Sequence, residues 1–534
     1  MTPEEWIAHD PDPVTAAELA ACDPGELSAR FERPLTFGTA GLRGPVRGGP
    51  DAMNLAVVLR ASWAVAQVLK DRCLSGATVV VGRDARHGSA AFALATAEAL
   101  TAQGFSVLRL PDALPTPVLA FAVRHIGAAA GIQITASHTP PTDNGYKVYL
   151  DGGMQIVAPT DSAIENAIAS APFADQIARA PVAAADTPIV ERYMQRAAGL
   201  RRSNGSVRVA LTPLHGVGGP VAVRTLQRAG VDDVHTVAAQ FAPDPDFPTV
   251  AFPNPEEPGA TDALLTLAAD VGADVAIALD PDADRCAVGV PTPSGWRMLS
   301  GDETGWLLGD YILSGVEAAS AVVASTVVSS RMLAKIAERY GARHVETLTG
   351  FKWLARADVD LPDHTLVYAY EEAIGHCVDP DVVRDKDGIS AAVLMCDLVA
   401  TLKAQGRSPL DALDDLTRRY GVHLGAALSR PLSGGEQAAV LMQRLRADPP
   451  DRLAGISAHT TDLLQRRGVQ RTDALIFTAG DADMWARVVV RPSGTEPKVK
   501  YYIEVGCPAI SELRDARQRA AALREQVVAA VQTW

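Results

Sequence analysis

The sequence predicts an α/β protein: three successive α/β units with mixed sheets, followed by a smaller C-terminal α+β domain. Three observations carry that expectation. The chain has 534 residues, too many for one compact core, and roughly 150 residues per domain gives three to four domains. Short apolar strands alternate with helix-period segments, the signature of βαβ units. The alternation restarts twice and then changes character after residue 420. Ligands of open α/β sheets bind beyond the carboxyl ends of the strands, so the polar, glycine-bearing loops that follow several strands look like contributions to one central cleft.

Residues 1–35 read as a helical lead-in punctuated by Pro13 and Asp23-Pro24. Next comes Phe37-Gly38-Thr39-Ala40-Gly41-Leu42-Arg43-Gly44. Such spacing either lets backbone approach a ligand while Arg43 forks toward it, or is a glycine-rich turn before a strand. A helix is expected over 54–70, a strand over 78–81 ending in Gly82-Arg83-Asp84-Ala85-Arg86, a helix over 90–103 and a strand over 105–110. The first unit, 1–185, closes with the apolar run 128–134 and the loop Thr135-Ala136-Ser137-His138-Thr139-Pro140-Pro141. Asn144-Gly145 reads as a turn that folds Lys147 back beside Ser137. The second unit, 186–305, holds strands over 207–211 and 274–279, the latter running into Asp280-Pro281-Asp282-Ala283-Asp284-Arg285. The third, 306–420, holds strands over 321–326 and 365–370, the latter ending in Glu371-Glu372-Ala373-Ile374-Gly375-His376. In 421–534, strands over 485–490 and 498–505 flank Arg491-Pro492-Ser493-Gly494-Thr495-Glu496-Pro497, and a long amphipathic helix closes the chain.

Composition narrows the class. A hydrophobic fraction of 48% and a charged fraction of 21% are ordinary for a globular protein. A net charge of −14 argues against nucleic acid or an anionic membrane as a partner, though not against a small anion in a locally basic cleft. Six cysteines without CxxC spacing suit free thiols in a reducing cytoplasm. Met1–Pro13 is acidic and proline-bearing, unlike a signal peptide, and no 18-residue uncharged apolar run suggests a membrane span.

Five constellations carry chemistry. Ser137 offers a hydroxyl on a proline-stiffened loop near the Lys147 cation. Asp280, Asp282 and Asp284 alternate after an apolar strand; in an extended segment they point the same way, and converging carboxylates call for a hard divalent cation. An EF-hand is excluded because its sixth position is Arg285 and its twelfth Pro291. The choice left is Mg²⁺ with an open position for a phosphate oxygen, or a solvated acidic turn. Glu371 and Glu372 offer carboxylates for sugar hydroxyls, with His376 either a proton carrier near neutral pH or a structural ring. Thr349-Gly350-Phe351-Lys352-Trp353 is either a sugar-phosphate contact or a helix start with its aromatics in the core. Arg491, Ser493, Gly494 and Thr495 form either an anion nest or a plain hairpin turn. No Walker A sequence occurs. A serine hydrolase would need a GxSxG elbow around Ser137, and none is there.

Four of these motifs, TASHTPPTDNGYK (135–147), DPDADR (280–285), EEAIGH (371–376) and RPSGTEP (491–497), occur in an order that resembles the α-D-phosphohexomutase superfamily of phosphoglucomutases and phosphomannomutases. The segments FGTAGLRG, TPLHGVGG, TGFKW and DKDGISAA resemble its phosphoglucomutase/phosphopentomutase branch. The resemblance covers essentially the whole chain. It implies four domains around a deep cleft, and an isomerase that moves a phosphoryl group between C1 and C6 of a hexose phosphate. Phosphopentomutase action between C1 and C5 is the alternative, and a non-catalytic phosphosugar-binding protein ranks below both. It further implies Ser137 as the phosphoryl carrier, and one Mg²⁺ held by Asp280, Asp282, Asp284 and the phosphoserine. Arg43 and Lys147 match basic residues beside that serine, and His376 matches an acid/base histidine that other branches replace. Arg285, Thr349, Gly350, Lys352 and Glu372 match sugar contacts, while Arg491, Ser493, Gly494 and Thr495 match the loop that holds the non-reacting phosphate. A catalytic bisphosphosugar activator, a phosphosugar partner and a cytoplasmic monomer or homodimer complete the expectation.

Overall fold

The computed structural model describes residues 1–38, 41–431, 438–493, 498–508 and 512–534. Three α/β domains with mixed or parallel sheets precede a C-terminal domain built on an antiparallel sheet. The chain divides into two compact units. Met1–Thr304 and Ala373–Gln405 form the first, Gly305–Glu372 and Gly406–Trp534 the second. The stretch expected as a third domain, 306–420, is thus shared between them.

In the first unit, three short helices, Pro3–Ala8, Pro13–Ala21 and Pro24–Glu32, form the lead-in, each with proline in its first turn behind a Thr or Asp cap. Proline is tolerated there because that N–H has no intrahelical partner. The first sheet runs parallel through Ser106–Arg109, Thr78–Arg83 and Ala130–Ile134, then antiparallel through Asp143–Leu150 and Leu42–Pro45. Helix Leu55–Asp71 buries Val58, Leu59, Val65 and Leu69 beside Val79, Val81, Ile132 and Ile134. The second sheet repeats the plan. Val234–Thr236, Val209–Thr212 and Val275–Leu279 are parallel, while Cys286–Thr292 and Gly295–Met298 turn back antiparallel.

Asn144-Gly145 is no turn. Both residues lie inside the strand Asp143–Leu150, and the chain reverses earlier, through 135–142. The register Gln133↔Lys147 then brings Lys147 back to the serine loop. Gly145 is required by contact instead: a Cβ there would lie 2.5 Å from the Thr135 carbonyl oxygen and 2.9 Å from that of Leu42.

In the second unit, Arg343–Thr347, Ala321–Thr326 and Thr365–Glu371 are parallel. The C-terminal sheet is antiparallel through Val422–Pro431, Lys498–Cys507, Trp485–Pro492, Leu475–Gly480 and Ile456–Asp462. Helix Leu513–Val531 packs Leu523, Val527 and Val531 onto it, with Val488, Val490 and Ile503 in the same core. Among the described residues no single helix is long and apolar enough to cross a membrane.

Candidate active site

Ser137 stands at the carboxyl end of the strand Ala130–Ile134 with φ +55°, a left-handed conformation rare for a residue with a Cβ. The Thr135 hydroxyl accepts from the Ser137 N–H at 3.0 Å. This backbone sends Oγ onto Asp280, to whose Oδ2 it donates at 2.6 Å. The side chain is 3% exposed.

Asp280, Asp282 and Asp284 bring one oxygen each to within 4.8 Å of one another, all buried. The segment is a turn rather than an extended run: Ala283 takes φ +55° and donates its N–H to the Asp280 carbonyl at 2.9 Å. Convergence therefore comes from the bend, not from a two-residue period. Two glycines back it, since a Cβ at Gly216 would lie 2.3 Å from Pro281 Cα, and one at Gly388 would lie 2.3 Å from the Arg285 carbonyl oxygen.

Positive charge surrounds the triad. Lys147 Nζ donates to Asp282 Oδ2 at 2.7 Å and to Asp284 Oδ2 at 3.0 Å. Lys386 Nζ lies 3.2 Å from the same Asp284 oxygen. The Thr116 hydroxyl donates to Asp282 Oδ2 at 2.6 Å, and the Arg285 N–H to Asp280 Oδ1 at 3.0 Å. Arg43, held in register with Gly145, feels Asp282 and Asp284, though burial lowers its pKa from the guanidinium norm.

Electrostatics separate the carboxyls. Burial, then Asp282 and Asp284, push the Asp280 pKa well above the carboxylate range. Burial works against Asp282 as well, but the Lys147 charge together with hydrogen bonds from Asp280, Lys147 and Thr116 outweighs it and holds that group ionised. Asp284 is lowered against burial and Asp282 by Lys147, Lys386 and Arg285. Burial also opposes charge on Lys147, yet Asp282 and Asp284 raise its pKa, so it is an ammonium. His138, whose Nδ1 lies 3.1 Å from Ser137 Oγ, is kept neutral by burial and by Arg285 and Arg43.

The triad fits a divalent cation. Asp282 Oδ1 and Asp284 Oδ1 are buried with no hydrogen-bond partner, a costly arrangement for carboxylate oxygens. Hard oxygen donors with few protein ligands are the Mg²⁺ pattern.

His376 lies on the short strand Gly375–Cys377 and is 0% exposed; burial lowers its pKa to about 3. Its ring is neutral, so it does not titrate near neutral pH in this fold.

The second unit brings its own set together. Glu372 Oε2 accepts from the Ser329 hydroxyl at 2.9 Å and the Thr326 hydroxyl at 3.1 Å. Tyr502 joins it to Arg491: burial, then Glu372, push the phenol up to about 12, while a hydrogen bond from Arg491 opposes them. Gly350, at φ +107°, precedes the short helix Phe351–Leu354, with Thr349 half-buried before it. Phe351 goes into the core, and Lys352, also buried, lies with Nζ 5.3 Å from the ring centre of the half-buried Trp353. The Ser493 N–H donates to the Lys498 carbonyl at 2.8 Å. Gly494 and Thr495 lie outside the described residues.

Sequence reasoning missed Thr116 and gave Lys386 and Arg86 no role, although DKDG and GRDAR stand at loops that held the signal. His138 follows Ser137 directly, and the left-handed Ser137 brings the two side chains together.

Models of the phosphoglucomutase/phosphomannomutase family match the chain throughout: alpha/beta/alpha domain I over 34–175, domain II over 191–294, domain III over 300–420, and the C-terminal domain over 452–522. A Haemophilus influenzae protein named "Probable phosphomannomutase" is 39% identical over 461 residues, 85% of this chain and 93% of that one. The phosphoribomutase of Saccharomyces cerevisiae is 33% identical over 574 residues, covering 93% and 91%. A solved phosphoglucomutase/phosphomannomutase family protein from Burkholderia thailandensis shares the fold, with a TM-score of 0.67 at 21% identity, covering 91% of this chain and 96% of that one.

Proposed function

Since the chain belongs to the phosphoglucomutase/phosphomannomutase family and is a phosphomutase, we propose that it moves a phosphoryl group between C1 and C6 of a hexose phosphate by way of phosphorylated Ser137. The observation that carries this reading is Ser137 Oγ, 2.6 Å from a buried three-aspartate cluster in which two carboxylate oxygens have no hydrogen-bond partner. A non-catalytic phosphosugar-binding protein needs neither that hydroxyl nor that cluster, and relatives of this similarity are named as mutases.

In the first half-reaction the bond from phosphorus to Ser137 Oγ breaks and a bond to the sugar hydroxyl oxygen forms, giving a bisphosphosugar. In the second half-reaction the bond from the other phosphorus to its sugar oxygen breaks and a bond to Ser137 Oγ forms, and the proton that leaves Ser137 is matched by one taken up on the freed sugar oxygen. Asp280, Asp282 and Asp284 would hold Mg²⁺, which when bound supplies positive charge to the phosphoryl oxygens. Arg43 and Lys147 add fixed positive charge at the same place, the kind of preorganised stabilisation that dominates such transfers. Lys147, already protonated, offsets charge or gives a proton. Neutral His138 accepts the Ser137 proton as the serine is rephosphorylated. Arg285, Thr349, Gly350, Lys352 and Glu372 are the proposed sugar contacts. Arg491 and Ser493, with Gly494 and Thr495, are the proposed holders of the non-reacting phosphate.

Mass spectrometry after incubation with a bisphosphosugar is expected to find one phosphoryl group on Ser137, and Ser137→Ala to abolish turnover; full activity in that variant overturns the assignment. A pentose reading, C1 to C5, is favoured by the yeast relative named phosphoribomutase. A panel of 1-phosphosugars with Mg²⁺ and the matching bisphosphates decides between them by kcat/KM.

A further inference from the structure

Arg86 stands at the carboxyl end of the strand Thr78–Arg83, one loop away from the nucleophile, and is 4% exposed. Its side chain gathers the carbonyls of the whole serine loop. Nη2 donates to the Ser137 carbonyl oxygen at 2.6 Å and to that of Thr139 at 2.7 Å. Nη1 donates to Pro140 at 2.8 Å and to Asp143 at 3.2 Å. Above the guanidinium lies the Phe247 ring, 4.9 Å from Cζ, in the second α/β domain. Beneath it is Asp84, with Oδ2 3.4 Å from Nε and Oδ1 accepting the Arg86 N–H at 3.0 Å.

The support is itself held in place. The Ser89 hydroxyl donates to Asp84 Oδ1 at 2.5 Å and receives Asn144 Nδ2 at 2.9 Å, while Asn144 Oδ1 accepts the Gly145 N–H at 2.7 Å. Asp84 donates its N–H to the Ile134 carbonyl at 3.0 Å. Both ends of the loop, Ile134 and Asn144, are thus tied to the segment that carries Arg86.

We propose that Arg86 is a positioning residue for phosphoryl transfer: by clamping four carbonyls between Asp84 and Phe247 it holds Ser137 in the left-handed conformation that sends Oγ to the triad. This rests on the reading of Ser137 as the phosphoryl carrier. The left-handed state is unfavourable for an L-residue, and the loop Thr139-Pro140-Pro141 has few backbone donors with which to hold itself. Pro140 and Pro141 bring no N–H of their own, and one planar guanidinium with five donors meets several of the loop's carbonyls at once, that of Pro140 beside the Asp143 N–H that reaches it at 3.0 Å. A lysine has the charge without the fork. Phe247 caps the face of the cation and excludes water from it.

Arg86→Lys and Arg86→Ala are compared with wild type in Mg²⁺, with the preferred 1-phosphosugar and its bisphosphate, alongside hydrogen exchange of residues 135–143. The expected result is a kcat drop of about 10²-fold, the order that a 1 Å misplacement costs, with KM within a factor of about three, faster exchange in the loop, and partial rescue of Arg86→Ala by millimolar guanidinium but not by ammonium. Wild-type kcat in Arg86→Lys, or unchanged loop exchange in both variants, overturns the inference. If Arg86→Ala does not fold, Arg86→Lys alone decides by the same two readouts. If wild type turns over no phosphosugar, the functional reading fails; faster loop exchange in the variants then still upholds the clamp, and unchanged exchange overturns it as well.

Discussion

At the scale of single residues, the site is a balance of charges that no one of them could hold alone. Lys147 bridges Asp282 and Asp284, so Lys147→Met leaves two buried carboxylates facing each other. Steady-state kinetics are expected to show kcat falling by about 10²–10⁴-fold, the range for loss of a positioned proton-transfer group, while Lys147→Arg keeps the charge and restores part of the rate. His376 gives a pH prediction with a definite sign. Its folded pKa of about 3 lies below its ordinary 6.5, so the unfolded chain binds the extra proton. Its stabilising contribution is complete above pH 6.5 and declines as pH falls toward 3, by at most about 5 kcal/mol. Chemical denaturation at pH 7.5 and pH 5 is expected to show His376→Phe losing less stability than wild type between the two. An equal loss in both contradicts a buried neutral ring.

At the scale of elements, the sequence reads well where periodicity is local and poorly where contact decides. The helices 55–71 and 513–531 and the strands 321–326 and 485–492 follow from runs that one segment shows by itself. Asn144-Gly145 has the composition of a hairpin turn, but Leu42–Pro45 pairs across it and Thr135 crowds Gly145, facts found about a hundred residues away and ten residues away respectively. The aspartates were legible as a group and not as a shape, because the positive φ of Ala283 is set by what packs on the turn. One such neighbour is Gly388, first residue of the helix Gly388–Ala404. Gly388→Ala would drive a methyl into the Arg285 carbonyl, at an expected cost of about 1–3 kcal/mol and a weaker metal affinity. Thermal melts with and without Mg²⁺ check it; an unchanged metal-induced shift contradicts the role of that glycine.

At the scale of the molecule, the candidate phosphoryl centre lies wholly within the first unit, and the Glu372, Tyr502 and Arg491 group wholly within the second. A metal bound to the triad therefore stabilises one unit directly. At a free Mg²⁺ concentration of 100 Kd the gain is about 2.7 kcal/mol. Calorimetry is expected to show chelation lowering the transition of the first unit, and Asp282→Asn to remove that sensitivity. The four-domain plan was legible because strand and helix alternate in blocks. That Ala373–Gln405 belongs with the first unit was not, since nothing local in that segment says which core it completes.

That 373–405 belongs to the first unit has a consequence for the order in which the protein can be made. On a ribosome the triad emerges at residues 280–284, but the second lysine on Asp284 and the second of the two glycines that back the turn emerge only at 386 and 388. Strands of the second unit are synthesised in between. A nascent chain halted after residue 304 would carry every aspartate and still lack a finished cation site, so metal capture becomes a late event of synthesis. Arrested chains of increasing length, probed for Mg²⁺-dependent protease resistance, are expected to gain it only once residue 405 has cleared the exit tunnel.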